Sequence, residues 1–172
     1  LNTKTMKPKI ICEIGCNHKG DIKIAKKMIE VAKVFCDVDV IKFQKRCNLE
    51  LLSDEEYNKP HPVPHNSYGS TYGEHRDFLE LSYEEHCEIS DYVRSKGIDF
   101  IDTLCSPKCV DLVNMTTIDK IKIASRDLTN IPLLKRVAET GLDVIVSTGM
   151  SDIYDLVEAL NILDTGRNEV SI

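Results

Sequence analysis

Short apolar runs alternate along the chain with longer segments in which apolar residues recur at helical spacing. The runs are rich in Ile and Val and end in small or polar residues, which is typical of buried strands. They occupy residues 9–14, 38–43, 99–103, 120–124 and 143–147, and a further run begins at residue 169. Strands that alternate with helices predict an α/β fold with a parallel sheet and helices outside it.

The segments between the strands carry helix start and stop signals. Residues 22–35 place apolar side chains on one helical face, which predicts an amphipathic helix. Ser82 and Glu85 form a capping box at the start of another helix. Gly141 suits the end of a helix that begins near residue 130, and Ser151 is the expected cap of the last helix.

One connection is much longer than the others. Residues 45–81 separate the second strand from the helix that precedes the third strand. Long insertions at the C-terminal ends of strands usually carry function. We therefore expect this segment to fold over the C-terminal edge of the sheet.

Composition and charge restrict the partners. The chain has 172 residues and a net charge of −6, which argues against nucleic acid or an anionic membrane surface as the partner. No apolar run approaches the ~20 residues of a membrane span. The seven cysteines are an odd number and no secretory signal precedes them, so reduced thiols and a cytoplasmic location are expected.

Two architectures fit the repeat: a doubly wound sheet, which suits the length, and a TIM (β/α)8 barrel cut short. The polar residues favour the barrel. Lys42 and Lys122 lie within strands, and Thr103, Ser125 and Ser147 lie at strand ends. Two cations and three hydroxyls at one edge describe a receptor for a small phosphate- or carboxylate-bearing anion. Only a barrel gives inward lysines a pocket, at its mouth.

Acidic residues near these strand ends have a functional and a structural interpretation. Glu13 ends the first strand and is either a proton-transfer group or a strand-end charge. Asp127 either pairs with Lys122 or Lys42 or contacts a sugar. Asn17 suits a helix cap, and the lone His18 is expected to be structural rather than a metal ligand.

Five motifs resemble the sialic acid synthase family. In chain order they are Glu-Ile-Gly-Cys-Asn-His-Lys-Gly at 13–20, Lys-Phe-Gln at 42–44, Tyr-Gly-Glu-His-Arg at 72–76, Lys-Ile-Ala-Ser at 122–125 and Ser-Thr-Gly-Met at 147–150. The resemblance runs from about residue 8 to the end of the chain. Their order and spacing make the resemblance specific.

The resemblance implies a TIM barrel that condenses phosphoenolpyruvate with an N-acetylated amino sugar, such as N-acetylmannosamine. The products would be a sialic-acid-type (nonulosonic) sugar and phosphate. A divalent ion, Mn²⁺ or Mg²⁺, would act as a Lewis acid. The complete enzyme is expected to be a homodimer. Which amino sugar is used (the sialic, legionaminic or pseudaminic type) stays open.

Site residues follow from the same motifs. Those implied to hold phosphoenolpyruvate are Lys42, Thr103, Lys122, Ser125 and Ser147. Glu13 and Asn66 are implied to contact the sugar, Gln44 lies beside the same site, and Glu13 is the candidate for proton transfer. Asp127 joins the substrate-binding set through the sugar contact that is one of its two interpretations. Lys42 and Lys122 are the other two candidate catalytic residues, beside Glu13. Relatives often have proline after the threonine, where this chain has Leu104.

The family's metal-binding histidines and its C-terminal antifreeze-like domain have no counterpart in these 172 residues. The sequence is therefore interpreted as the first five βα units of the barrel and the start of the sixth strand, with no metal ligand of its own. On that interpretation the chain alone is expected to be inactive. Two alternatives stay open: a barrel aldolase that forms a Schiff base on a lysine, and a truncated, non-catalytic fragment.

Overall fold

A computed structural model of the chain describes residues 7–172. Parallel strands pair in the order in which they occur along the chain. They are β1 (Ile11–Glu13), β2 (Val40–Lys45), β3 (Asp99–Leu104), β4 (Lys120–Ile123), β5 (Val144–Val146) and β6 (Val170–Ser171). This confirms the predicted parallel α/β sheet. It also excludes the doubly wound alternative, in which the strand order reverses within the sheet.

Helices fill most of the connections between the strands. The α-helices are α1 (Ile22–Cys36), α2 (Asn48–Leu51), α3 (Asp54–Asn58), α4 (Tyr72–Phe78), α5 (Tyr83–Ser95), α6 (Ile131–Thr140) and α7 (Ile153–Leu163). Pro64–Asn66, Pro107–Asn114 and Ser125–Asp127 form 3₁₀ helices. The β3–β4 connection is thus a 3₁₀ helix where the repeat predicts an α-helix. Within residues 7–172 no helix is both long and apolar enough to cross a membrane.

The two faces of the sheet differ in chemistry. One face packs on the helices and is apolar; its fully buried members include Ile41, Phe43, Phe100, Ile121, Ile123, Val144 and Val146. Side chains alternate between faces along a strand, so the opposite face carries Glu13, Lys42, Gln44 and Lys122. Right-handed connections between consecutive strands put the helices on one side and leave this second face free of them.

The helix-free face has an apolar part and a polar part, which lie at different heights along the strands. A cavity of about 170 Å³ lies toward their N-terminal ends, and its apolar lining includes Ile11, Val40, Ile101 and Ile145. The polar side chains of the motifs lie nearer the C-terminal ends. The candidate chemistry is therefore confined to the C-terminal edge of the sheet.

A buried histidine–aspartate contact lies on the helix-covered side of β3. His86 Nδ1 on α5 is 2.8 Å from Asp102 Oδ2, and the two side chains are 1% and 0% exposed. Phe43 packs edge-on against His86, with ring centroids 6.3 Å apart. The pair joins α5 to the strand that carries Thr103.

Several local predictions are confirmed and others are wrong. The Ser82–Glu85 capping box starts α5, and Gly141 ends α6 in the left-handed conformation. The cap of α7 is Asp152 rather than Ser151, because the Asp152 carboxylate accepts two backbone N–H bonds. Asn17 caps no helix: its side chain donates to the Ile14 carbonyl, and Asp21 caps α1 instead.

The long segment 45–81 is joined at its two ends. The Lys45 ammonium donates to the Leu81 carbonyl at 2.5 Å, and the Arg46 guanidinium pairs with Glu80. Toward its C-terminal end the segment meets the β1–α1 turn at Gly20, where a Cβ atom would lie 2.1 Å from the Phe78 carbonyl oxygen.

The same segment also reaches the connection that follows β3. The Lys108 backbone N–H donates to the Glu50 carboxylate at 3.0 Å. Segment 45–81 therefore contacts the loops after β1 and β3, which places it at the C-terminal edge of the sheet, as predicted.

Candidate functional site

The strand register brings the motif residues together. Glu13 is level with Lys42 across β1 and β2, Gln44 is level with Thr103, and Thr103 is level with Lys122. Neighbouring strands lie about 4.8 Å apart, so side chains at the same level touch. Four successive strands thus present their polar residues at one edge.

Lys42 lies at the centre of this group. Its ammonium pairs with the Glu13 carboxylate and donates to Thr103 Oγ1 at 3.1 Å. The Lys42 side chain is 18% exposed, whereas that of Glu13 is 46% exposed. The carboxylate therefore holds the lysine in place while it stays accessible to a solute.

Lys122 makes a second cationic centre. Its ammonium donates to Ser147 Oγ at 2.6 Å and to the Ile123 carbonyl at 2.5 Å. Burial and, to a smaller extent, the charge of Lys42 lower the pKa of Lys122 to about 8, and Glu13 partly opposes them. The two lysines therefore act on each other electrostatically, and an anion between them would relieve that repulsion.

Ser125 and Asp127 follow β4 but engage other partners. Ser125 Oγ accepts the Gly149 backbone N–H at 3.1 Å, which ties it to the loop after β5. Asp127 pairs with Arg126 at 3.2 Å, so the alternative in which it pairs with Lys122 or Lys42 is wrong, and its sugar contact stays a prediction. Burial raises the pKa of Asp127, and Arg126 partly offsets that effect.

Gln44 continues the inward face of β2 beyond Lys42. Its Nε2 lies 2.6 Å from Cys16 Sγ, and Arg46 Nη2 lies 2.9 Å from the same sulfur. Strand alternation places Lys42, Gln44 and Arg46 on one side. The sequence reasoning did not single out Arg46, although this spacing of two could have found it.

Asn66 ends the 3₁₀ helix of the long segment and is exposed. Its backbone N–H donates to the Val63 carbonyl at 2.9 Å. The structure shows no bond that holds Asn66 to Glu13 or Gln44, so its sugar contact stays a prediction.

His18 is buried and structural. Its Nδ1 accepts the Gly20 backbone N–H at 3.1 Å, and its ring stacks on Phe43 with centroids 5.7 Å apart. Burial lowers its pKa, and the nearby His86 lowers it further, so the ring is neutral at pH 7. Across residues 7–172 no group of three or more His, Cys, Asp or Glu side chains is arranged to hold a metal ion.

The C-terminal edge of the sheet therefore carries two ammonium groups, the two hydroxyls that they contact, and one accessible carboxylate. Ammonium groups with hydroxyl donors bind phosphate or carboxylate oxygens. A carboxylate beside them can accept a hydroxyl or move a proton. The arrangement fits a small dianion next to a hydroxylated second substrate.

Comparison with known proteins identifies the family. A family model described as the NeuB family matches residues 28–172. The N-acetylneuraminate-9-phosphate synthase of Mus musculus is 36% identical over 159 residues, covering 88% of this chain and 44% of that protein. The N,N'-diacetyllegionaminic acid synthase of Campylobacter jejuni is 33% identical and covers 90% of this chain and 46% of that protein.

A solved structure gives the same result. The N-acetylneuraminic acid synthetase of Leptospira borgpetersenii, crystallised with citrate, superposes with a TM-score of 0.77 at 26% identity, covering 95% of this chain and 53% of that one. The chain spans less than half the length of the curated relatives named above. The match over most of this chain nevertheless identifies it as a member of the NeuB family of sialic acid synthases.

Proposed function

We propose that the chain carries the phosphoenolpyruvate site of a nonulosonic acid synthase. The observation that supports this most is the pair of lysines, Lys42 and Lys122, on one face of the sheet with Thr103 and Ser147 as hydroxyl partners. The family membership and the name of the mouse relative agree with the proposal.

The proposed roles follow the geometry. Lys42, Thr103, Lys122 and Ser147 bind the phosphate and carboxylate of phosphoenolpyruvate, with Ser125 beside them. Glu13 is next to Lys42 and accessible, so it faces the second substrate and handles its proton. Gln44 lies one inward position further on and contacts the sugar, together with Asn66. Asp127 is buried, pairs with Arg126, and is proposed as a further sugar contact.

The proposed reaction forms one carbon–carbon bond and breaks one carbon–oxygen bond. C3 of phosphoenolpyruvate attacks the aldehyde carbon of the open-chain amino sugar, and the aldehyde oxygen takes a proton. Water adds at C2, loses a proton, and phosphate leaves with the bridging oxygen. The two lysines hold the phosphate as it departs, and Glu13 is the candidate proton carrier.

The resemblance also implies a divalent ion, which would polarise the aldehyde. The described residues do not form a site for it, because they contain no suitable three-ligand group. No step above is therefore assigned to a metal. Glu13 is the accessible carboxylate of the proposed site, and one carboxylate alone does not make a metal centre.

We further propose that the six strands are part of a (β/α)8 barrel. The consecutive strand order, the helix-free inner face and the apolar layer beneath the polar edge support this. The other strands, the metal histidines and the antifreeze-like domain would belong to the remaining length seen in relatives. A cytoplasmic homodimer is proposed for the whole enzyme; the absence of disulfides among the seven cysteines fits that compartment.

Binding of phosphoenolpyruvate to the chain tests the proposal directly. Lys122→Met is expected to weaken binding, measured by calorimetry, by about tenfold or more, since a charged hydrogen bond is lost. Lys120→Met is the matched control, because Lys120 lies on the same strand but pairs with Asp143 at 2.9 Å. Equal losses in both variants, or no binding to the wild-type chain, would contradict the assignment.

A Schiff-base aldolase is the second candidate, and the lowered pKa of Lys122 favours it. A lysine that is partly neutral near pH 8 is a competent nucleophile. Borohydride reduction in the presence of pyruvate would trap an adduct on Lys122 if the aldolase is correct. The synthase forms no imine, so an unmodified mass favours the first proposal.

The third candidate is a non-catalytic fragment. Phosphate release from phosphoenolpyruvate with N-acetylmannosamine and Mn²⁺ tests it on the purified 172-residue chain. We expect no turnover. Turnover that Lys122→Ala abolishes would show that the chain alone is sufficient and that the expected dependence on further strands is wrong.

A further inference from the structure

A second group of cations lies beyond the lysine site, where β2 ends. Arg46 points to the same side as Lys42 and Gln44, with its Nη2 2.9 Å from Cys16 Sγ. Its side chain is 13% exposed and pairs with Glu80. This guanidinium is therefore held in a fixed place at the edge of the sheet.

Arg76 on α4 brings a second guanidinium, and this one is unsatisfied. The residue is 8% exposed, and its Nε and Nη2 have no hydrogen-bond partner among residues 7–172. Its Nη1 reaches only the Tyr72 hydroxyl, at 3.4 Å, and the Tyr72 ring lies 5.7 Å from Cζ. A buried cation without a counterion is costly, so the arrangement indicates an anionic ligand.

The two arginines act on the same neighbours. Burial raises the pKa of Cys16, and the charges of Arg46 and Arg76 partly offset that effect. Burial lowers the pKa of His75, and His61, Arg46 and Arg76 lower it further. Both guanidinium groups therefore lie close to the β1 loop and to α4.

Positive charge exceeds negative charge in this region. Glu80 pairs with Arg46 and, at 3.9 Å, with Lys45. Asp77 accepts from Asn48 Nδ2 and from the Tyr57 hydroxyl, both at 2.6 Å, and so has neutral partners. Glu80 cannot neutralise Lys45, Arg46 and Arg76 together, which leaves Arg76 without a counterion in the part of the chain that the structure describes.

The position suits the far end of the second substrate. Arg46 follows Lys42 by four residues, which corresponds to about 13 Å along a strand. Gln44, a proposed sugar contact, lies between them on the same side. An extended six-carbon sugar phosphate with its aldehyde beside Lys42 and Glu13 would point its phosphate toward the arginines, whose long side chains span the remaining distance.

We propose that Arg76, with Arg46, binds a phosphate ester at the end of the acceptor sugar opposite its aldehyde. This inference rests on the proposed synthase function and adds that the acceptor is a phosphorylated amino sugar. The name of the mouse relative specifies a 9-phosphate product, whereas that of the Campylobacter jejuni relative specifies none. On this proposal the chain acts on the same kind of acceptor as the first of these relatives.

Calorimetry on the 172-residue chain with two probes, N-acetylmannosamine and N-acetylmannosamine 6-phosphate, tests the inference. The phosphorylated sugar is expected to bind at least about tenfold more tightly, as charge-assisted bonds to a phosphate require. Arg76→Met is expected to abolish that preference and leave phosphoenolpyruvate affinity unchanged. Lys122→Met is expected to do the reverse.

Control variants separate loss of the site from loss of the fold. Arg76→Lys keeps the charge and is expected to retain part of the preference. Arg46→Met gives a second test if Arg76→Met unfolds by circular dichroism. Equal affinities for the two sugars, or a preference that survives both methionine variants, would overturn the inference while phosphoenolpyruvate binding still supports the synthase. Loss of phosphoenolpyruvate binding in the wild-type chain would instead overturn the synthase proposal.

Discussion

The pH dependence of phosphoenolpyruvate binding should report the environment of Lys122. Burial and the neighbouring Lys42 lower its pKa to about 8. Its ammonium fraction then falls from about nine-tenths at pH 7 to about one-tenth at pH 9. Anion binding needs the charged form, so affinity should fall about tenfold over this interval, or about 1.4 kcal/mol. A lysine with the usual pKa near 10.4 would stay charged and give no change.

Calorimetry at pH 7, 8 and 9, in buffers of different ionisation enthalpy, measures both the affinity and the protons taken up. Uptake of protons on binding should be greatest near pH 9. Lys122→Arg is the matched control, because a guanidinium stays charged throughout and should flatten the profile. An unchanged affinity between pH 7 and pH 9 in the wild-type chain would refute the reasoning, as would a parallel fall in Lys122→Arg.

Three stability predictions are measurable by urea unfolding followed by circular dichroism. Gly20→Ala should lower the free energy of unfolding by about 3 kcal/mol and Gly97→Ala by only about 1 kcal/mol. Both glycines have positive φ, but only Gly20 faces a backbone carbonyl, so equal losses would contradict this contact. His86→Leu should cost about 3–5 kcal/mol because it leaves the buried Asp102 side chain without its partner, and adding Asp102→Leu should recover part of this loss. A further loss in the double variant would show that packing, rather than the polar contact, dominates. Ser82→Ala should cost about 1 kcal/mol, and no change would mean that water replaces the cap.

Strand positions were predictable because they depend on local composition. The observed strand β3, Asp99–Leu104, extends the predicted run by one residue, and β4, Lys120–Ile123, is one residue shorter. The order of the motifs along the chain was enough to place their residues at one edge, since parallel strands share a direction. What the pattern could not give was the 3₁₀ connection after β3, because its apolar spacing also suits an α-helix.

Side-chain partners were less predictable than side-chain positions. Lys42 and Lys45 lie on the same strand, yet Lys42 faces the site while Lys45 is 5% exposed and bonds to the Leu81 carbonyl. Strand alternation separates the two, but the carbonyl partner comes from a residue 36 positions away. Asp127 pairs with its sequence neighbour Arg126, a partner that neither of its two interpretations included. The sequence placed Arg76 in the Tyr-Gly-Glu-His-Arg motif at 72–76 but gave no sign of its role.

The contacts that join the two ends of segment 45–81 determine how well this segment tolerates changes in its length. Once the Lys45–Leu81 bond and the Arg46–Glu80 pair hold the ends together, the chain between them is a closed loop on a fixed base. Doubling the length of such a loop adds only about 0.6 kcal/mol of closure entropy. Insertions and deletions here would therefore leave the sheet and its lysines almost undisturbed. The segment is the part of the molecule in which new acceptor sugars can be accommodated at the least expense of folding.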